Sequence, residues 1–169
     1  METEVRTFRL LLPFCAVVFL LLIGCGSTPS EQHGEWVLTL HSQSSHGRVE
    51  RIHVEEGQTI CYRFIHSYAK VLIEEFFIIN GNGKLILQEA IYPELVAGYD
   101  TAPVSGVYEL RNGKVHVSQM NIEMEFIPIR IGSESRQRLC FDGECVYLDE
   151  LFDPGERVDI SLDKNRRHE

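Results

Sequence analysis

The sequence predicts an all-β chain: a single antiparallel β domain of sandwich or barrel-like build. Three observations lead there. No segment keeps its apolar residues at a 3.6-residue period, short alternating stretches recur along the chain, and Gly, Asn and Pro separate them at close intervals. A chain of 169 residues is long enough for one such domain with a real core, since about 150 residues bury roughly 70% of their unfolded surface.

Taken in order, 35–41 alternates around Trp36, Leu38 and Leu40, and 48–55 alternates through Val49, Ile52 and Val54 with one break in phase. Both read as strands, joined by a polar connection at 42–47. The β-rich stretch 59–67 carries Ile60, Tyr62 and Phe64. In 73–80, Phe76, Phe77, Ile78 and Ile79 stand in a row, the pattern of a strand buried on both faces. Asn80-Gly81-Asn82-Gly83 then turns the chain into a strand at 84–92 through Leu85, Leu87 and Ala90. Two prolines and Gly98 make 93–104 a long ordered loop. Asn112-Gly113 joins 107–110 to 115–119 as a second hairpin. Ile122, Met124 and Phe126 are expected on one face of the next strand, with Pro128 shifting the phase to Ile129 and Ile131, as at an edge, a bulge or a corner between sheets. Asp142-Gly143 centres a third hairpin. After a turn at 152–155, Val158, Ile160 and Leu162 form the last strand of a β domain spanning 35–162, and 163–169 is a frayed polar tail.

The net charge of −9, with no basic cluster larger than Arg166-Arg167, speaks against nucleic acid as a partner, which needs cations aimed at phosphates. At the N-terminus, Arg6 and Arg9 precede an apolar run over 10–23 that is shorter than the roughly 20 residues a spanning helix needs and contains Pro13. It reads as an export signal over 1–24, the alternative being a short membrane anchor. Leu22-Ile23-Gly24-Cys25 resembles the lipobox of bacterial lipoproteins. That resemblance implies acylation of Cys25, cleavage before it, and a partner in the lipid bilayer. Residues 25–34 would form a flexible tether. The expected location is the cell envelope, lipid-anchored and facing away from the cytoplasm.

Of the remaining cysteines, Cys140 and Cys145 flank Asp142-Gly143 so that Phe141 and Glu144 border the turn and the two cysteines meet at the next, non-hydrogen-bonded pair. A cross-strand disulfide suits an oxidising compartment; a pair of free thiols or half of a metal site is the alternative. Cys61 reads as a buried thiol.

The histidines His41, His46, His53, His66 and His116 show no ligand spacing, neither His-Glu-x-x-His nor His-x-His, so neither a metal nor another cofactor is expected. There is no Gly-x-Ser-x-Gly elbow, and Ser67 beside His66 on a strand would point to the opposite face, so no catalytic residues are assigned and an envelope hydrolase is the weakest reading. His66, Ser67, Lys70, Glu74 and Glu75 stand out as polar residues among apolar strands. Two readings stay open. His66 and Ser67 cap a strand end while one of the glutamates pairs with Lys70 or Arg63, or the five form the rim of a pocket for a small ligand such as an organic anion.

At these residues the chain resembles the domain-of-unknown-function family numbered 1850, uncharacterised exported bacterial proteins. Its members carry a strand ending in His-Ser, then a Lys, then a Glu-Glu pair, here His66-Ser67, Lys70 and Glu74-Glu75. A later aromatic and a Gly-Ala-Gly loop are echoed by Tyr92 and Val96-Ala97-Gly98, with Val96 in place of a glycine. The close from Val146-Tyr147-Leu148 through Pro154-Gly155 to Val158-Asp159-Ile160 is also similar. The resemblance implies a neighbour of tripartite solute transporters of the TAXI class. It leads to the expectation of a non-enzymatic accessory to a transporter subunit, with the small-ligand binding domain as the alternative.

Overall fold

Turn chemistry builds the hairpins from which the fold is assembled. The computed structural model describes residues 36–44, 47–93 and 105–165. The expected signal peptide 1–24, Cys25, the tether 25–34 and nearly all of the loop 93–104 lie outside the described residues. The strands are β1 (Trp36–Ser42), β2 (Val49–Val54), β3 (Thr59–Ile65), β4 (Leu72–Ile79), β5 (Leu85–Pro93), β6 (Val107–Arg111), β7 (Lys114–Ser118), β8 (Ile122–Met124), β9 (Phe126–Arg130), β10 (Arg138–Phe141), β11 (Glu144–Tyr147) and β12 (Arg157–Lys164). A single 3-10 turn, Leu148–Glu150, is the helical element among the described residues. Asn112-Gly113 and Asp142-Gly143 both hold positive φ at each position, +53° and +72° in the first, +48° and +94° in the second. Those are the type I′ turns whose twist matches paired strands. In the β4–β5 turn the Asn80 side chain accepts from the N–H groups of Asn82 and Lys84 at 3.0 and 2.9 Å.

Two antiparallel sheets pack as a sandwich. The smaller runs β2-β1-β12-β9, and the larger runs β11-β10-β3-β4-β5-β7-β6, with β8 also paired to β5. Alternation sends Leu38 and Leu40 of β1, Ile127 and Ile129 of β9, and Val158 and Ile160 of β12 inward from one sheet. Ile60 and Tyr62 of β3, Phe77 and Ile79 of β4, Leu85 of β5 and Leu139 of β10 meet them from the other. A second cluster, Ile73, Ala90, Tyr92, Val117 and Met120, extends along the same face of the large sheet.

Three expectations about strands change. β4 is not buried on both faces: Phe77 and Ile79 are buried, whereas Phe76 and Ile78 are half-buried on the outer face. A bulge between Phe76 and Phe77 in the pairing with β5 accompanies that alternation. The stretch around Met124 is a corner, because β8 belongs to the large sheet and β9 to the small one, with Glu125 alone between them. The phase changes there, two residues ahead of Pro128. Ile122 and Met124 pack inward, but Phe126 is exposed and Ile127, Ile129 and Ile131 take the buried positions. Pro128 is tolerated because β9 is an edge strand. Finally, β12 continues through Asp163 and Lys164, so the polar tail starts later than 163; Thr39 donates to Asp163 at 2.6 Å.

Candidate functional site

β3 stops at Ile65, not at Ser67, and a tight turn explains where. The His66 N–H donates to the Val71 carbonyl, and the Lys70 N–H donates back to the His66 carbonyl, both at 2.8 Å. Lys70 takes a left-handed φ of +53° to close the turn. The Ala69 N–H donates to His66 Nδ1 at 3.1 Å, so the neutral ring carries its proton on Nε2. His66 therefore caps a turn, and with the strand already ended His66 and Ser67 escape the strict alternation that would have sent them to opposite faces.

Both line a cleft of about 450 Å³ between the sheets. One wall is the end of β3 with Tyr62, Phe64, His66 and Ser67, together with Glu75 of β4. The opposite wall is Ile127, Ile129 and Ile131, and the loop after β9 closes it through Gly132, Ser135 and Gln137. The loop is tied to β3 by the Ile65 N–H donating to the Ser135 carbonyl at 2.7 Å. Tyr62 and Phe64 stack with ring centroids 4.9 Å apart. Their aromatic faces and the isoleucines make the cleft largely apolar, with polar groups at a few points, the general form of a small-molecule site.

Buried polar groups hold its floor. The Gln137 side-chain amide donates to the Tyr62 hydroxyl at 2.8 Å and to the Arg130 carbonyl at 3.0 Å, and its oxygen accepts from the Gly132 N–H at 2.9 Å. Burial pushes the Tyr62 phenol far above its ordinary value; the Gln137 hydrogen bond opposes this and the Glu75 charge adds to it. Tyr62 is thus a neutral hydroxyl held beside a carboxylate. Ser135 is buried, and its hydroxyl has no hydrogen-bond partner among the described residues, a cost of about 1–3 kcal/mol that a partner would relieve. Gly132 has to be small, since a Cβ there would overlap the Ser135 hydroxyl.

Of the five residues singled out from the sequence, the fold brings His66, Ser67 and Glu75 together and sends two elsewhere. Glu74 alternates to the outer face, where its carboxylate lies 2.8 Å from Arg63 Nε. Lys70 reaches out to Glu134 at 2.6 Å. The Lys70 hydrogen bond and charge hold the Glu134 carboxyl below its ordinary range. Tyr62, Ser135 and Gln137 were missed. In the sequence Tyr62 is marked only as one residue of the β-rich stretch 59–67, and nothing marks Ser135 or Gln137 beyond Gly132 shortly before them. The positions expected of the loop over 94–104 lie outside the described residues. Across the Asp142-Gly143 turn, Cys140 and Cys145 are joined by a disulfide with Cα atoms 4.1 Å apart, and Cys61 is a buried free thiol. His116 lies 3.8 Å from Glu89, and among the described residues no three His, Cys, Asp or Glu side chains gather as they would around a metal ion.

A small β-sandwich with a mixed apolar and polar cleft along β9, an edge strand among the described residues, is the architecture so defined. The chain belongs to the family described as "Domain of unknown function (DUF1850)", whose sequence model matches residues 60–148, from β3 to the 3-10 turn. The match takes in the β3, β4 and loop residues of the cleft. Neither a curated protein nor a solved structure matches the chain.

Proposed function

We propose that this domain is a non-enzymatic solute-binding module, tethered to a membrane through an acylated Cys25 outside the cytoplasm and serving as an accessory to a transporter. The observation that carries the binding part is the convergence of His66, Ser67 and Glu75 on one largely apolar cleft between the sheets. The chemistry favours a solute with an apolar body and a donor group, such as an amine or hydroxyl, for Glu75. An organic anion finds less there, because Lys70 is drawn to Glu134 and a carboxylate already lines the cleft. The anchoring part is supported by the sequence around Cys25, and the transporter part by what membership of the family leads one to expect.

Thermal shift and calorimetric titration of the protein against small amines, polyols and dicarboxylates test the binding part. Amines or polyols should raise the melting temperature. Glu75→Gln, which removes a charge-assisted hydrogen bond of about 1.5–3 kcal/mol, should weaken binding roughly ten- to hundredfold. A panel without any shift, or full affinity in Glu75→Gln, would count against the cleft. Cys25→Ala should leave the protein unprocessed or free of the membrane; an unchanged, processed membrane fraction contradicts acylation. Failure of any transporter subunit to co-purify from detergent-solubilised membranes removes the accessory role and leaves the binding module.

A further inference from the structure

Three cysteines stand in one row across the large sheet. Antiparallel register places Cys61 of β3 opposite Cys140 of β10, and Cys140 opposite Cys145 of β11. Residues in register on neighbouring strands project from the same face, with Cβ atoms about 4.5–5.5 Å apart. That face is the outer one, because Ile60 and Tyr62, the neighbours of Cys61 along β3, point into the core. Cys140 and Cys145 form the disulfide, and Cys61 is the free thiol beside it. From β3 to β11 the row thus runs free thiol, near sulfur, far sulfur. Thiol–disulfide exchange requires that order of nucleophile, attacked sulfur and leaving sulfur.

The surroundings bear on each role. Arg63 and Arg138 are paired in register two positions along the same face, and their charges favour a thiolate at Cys61. Burial, the larger influence, and the Glu74 carboxylate act against it, so the thiol sits above its ordinary value. Cys61 and Cys140 are buried, whereas Cys145 is only half-buried and is the sulfur that reagents reach most readily.

We propose that Cys61, Cys140 and Cys145 form a thiol–disulfide exchange site, in which Cys61 attacks Cys140 and frees Cys145 as the thiol offered to small electrophiles and to outside disulfides. Cys61 first loses its proton to solvent. Its sulfur then bonds to that of Cys140, the Cys140–Cys145 bond breaks with its electron pair on Cys145, and Cys145 takes up a proton. One disulfide and one thiol exist before and after, so no oxidant or reductant is consumed. Since the thiolate is the attacking form, the exchange quickens as pH rises toward the Cys61 value.

The test uses the oxidised full-length protein, incubated with iodoacetamide at neutral and at mildly alkaline pH, quenched in acid, digested with pepsin without reduction and mapped by mass spectrometry. The expected products are alkylated Cys145 and a Cys61–Cys140 linkage, accumulating faster at the higher pH, with both absent from Cys61→Ser. Alkylation of Cys61 with the Cys140–Cys145 bond intact would overturn the proposal. So would the absence of label from all three, or equal labelling of Cys145 in Cys61→Ser. The parent protein decides the matter even if Cys61→Ser fails to fold, and Cys61→Ala provides a second comparison without the nucleophile.

Discussion

Replacing Gly83 by Ala tests how the two sheets are keyed together. Gly83 closes the β4–β5 turn of the large sheet with φ +74°, and a Cβ built on it would overlap the six-membered ring of Trp36, which projects from β1 of the small sheet. Two costs follow. A non-glycine residue at left-handed φ costs roughly 1–2 kcal/mol. The clash adds a further ~1–3 kcal/mol for overpacking, because Trp36 is 8% exposed and cannot withdraw without opening the core. Gly113 supplies the control. It has φ +72° but nothing within 4 Å of its would-be Cβ, so Gly113→Ala meets the first cost alone. The predicted loss is therefore about 2–5 kcal/mol for Gly83→Ala against ~1–2 kcal/mol for Gly113→Ala. Trp36 is the single tryptophan of the chain, so its fluorescence during urea unfolding reports from the contact itself. Equal losses in the two variants would refute the contact between Trp36 and Gly83.

Other outcomes follow from the cleft and the disulfide. Tyr62→Phe removes the acceptor of the 2.8 Å Gln137 bond and should cost about 1 kcal/mol at neutral pH. Burial makes the folded chain hold the Tyr62 proton more tightly than the unfolded one, the Gln137 bond opposing this, so the stability gained by burying the neutral phenol is complete below about pH 10 and is lost as pH climbs through the raised folded value. Urea midpoints of parent and Tyr62→Phe should therefore converge in alkali, and parallel curves would show that Tyr62 does not titrate in this way. The double substitution Cys140→Ala with Cys145→Ala opens a short loop and should cost about 2 kcal/mol by the loop-entropy relation. An unchanged denaturation midpoint would mean that the bridge adds nothing to the stability of this hairpin.

What could be read from the sequence was what is local. The Asn112-Gly113 and Asp142-Gly143 turns were legible because two consecutive positive φ values leave little choice of residue. Alternation identified most inward residues, Leu38, Leu40, Ile60 and Tyr62 among them. Pairing across long separations was not legible, and it decides the rest. Nothing in 157–164 announces that β12 lies between β1 and β9, or that β3 takes β10 as a neighbour. The apolar run at 76–79 misled because half-burial of Phe76 and Ile78 on an outer face looks, in composition, like full burial. In the candidate site, alternation along β4 already implied that Glu74 and Glu75 part company. The partnership of Gln137 with Tyr62 joins residues 75 positions apart and left no trace in either neighbourhood.

The place of β12 has a consequence for the order of assembly. The small sheet draws on the first two strands, one from the middle and the last, and the last sits inside it, flanked by β1 on one side and β9 on the other. Until Arg157–Lys164 has been made, β1 has no partner on its inner flank and β9 has none at all, while Leu38, Leu40 and Ile127 lack the Val158 and Ile160 that cover them. A nascent chain still held at Gly155 therefore cannot close the sandwich. Strand β12 thus acts as a latch: a chain truncated before Arg157 lacks Val158 and Ile160 on the inner face of the small sheet and the ladder that joins β1 to β9.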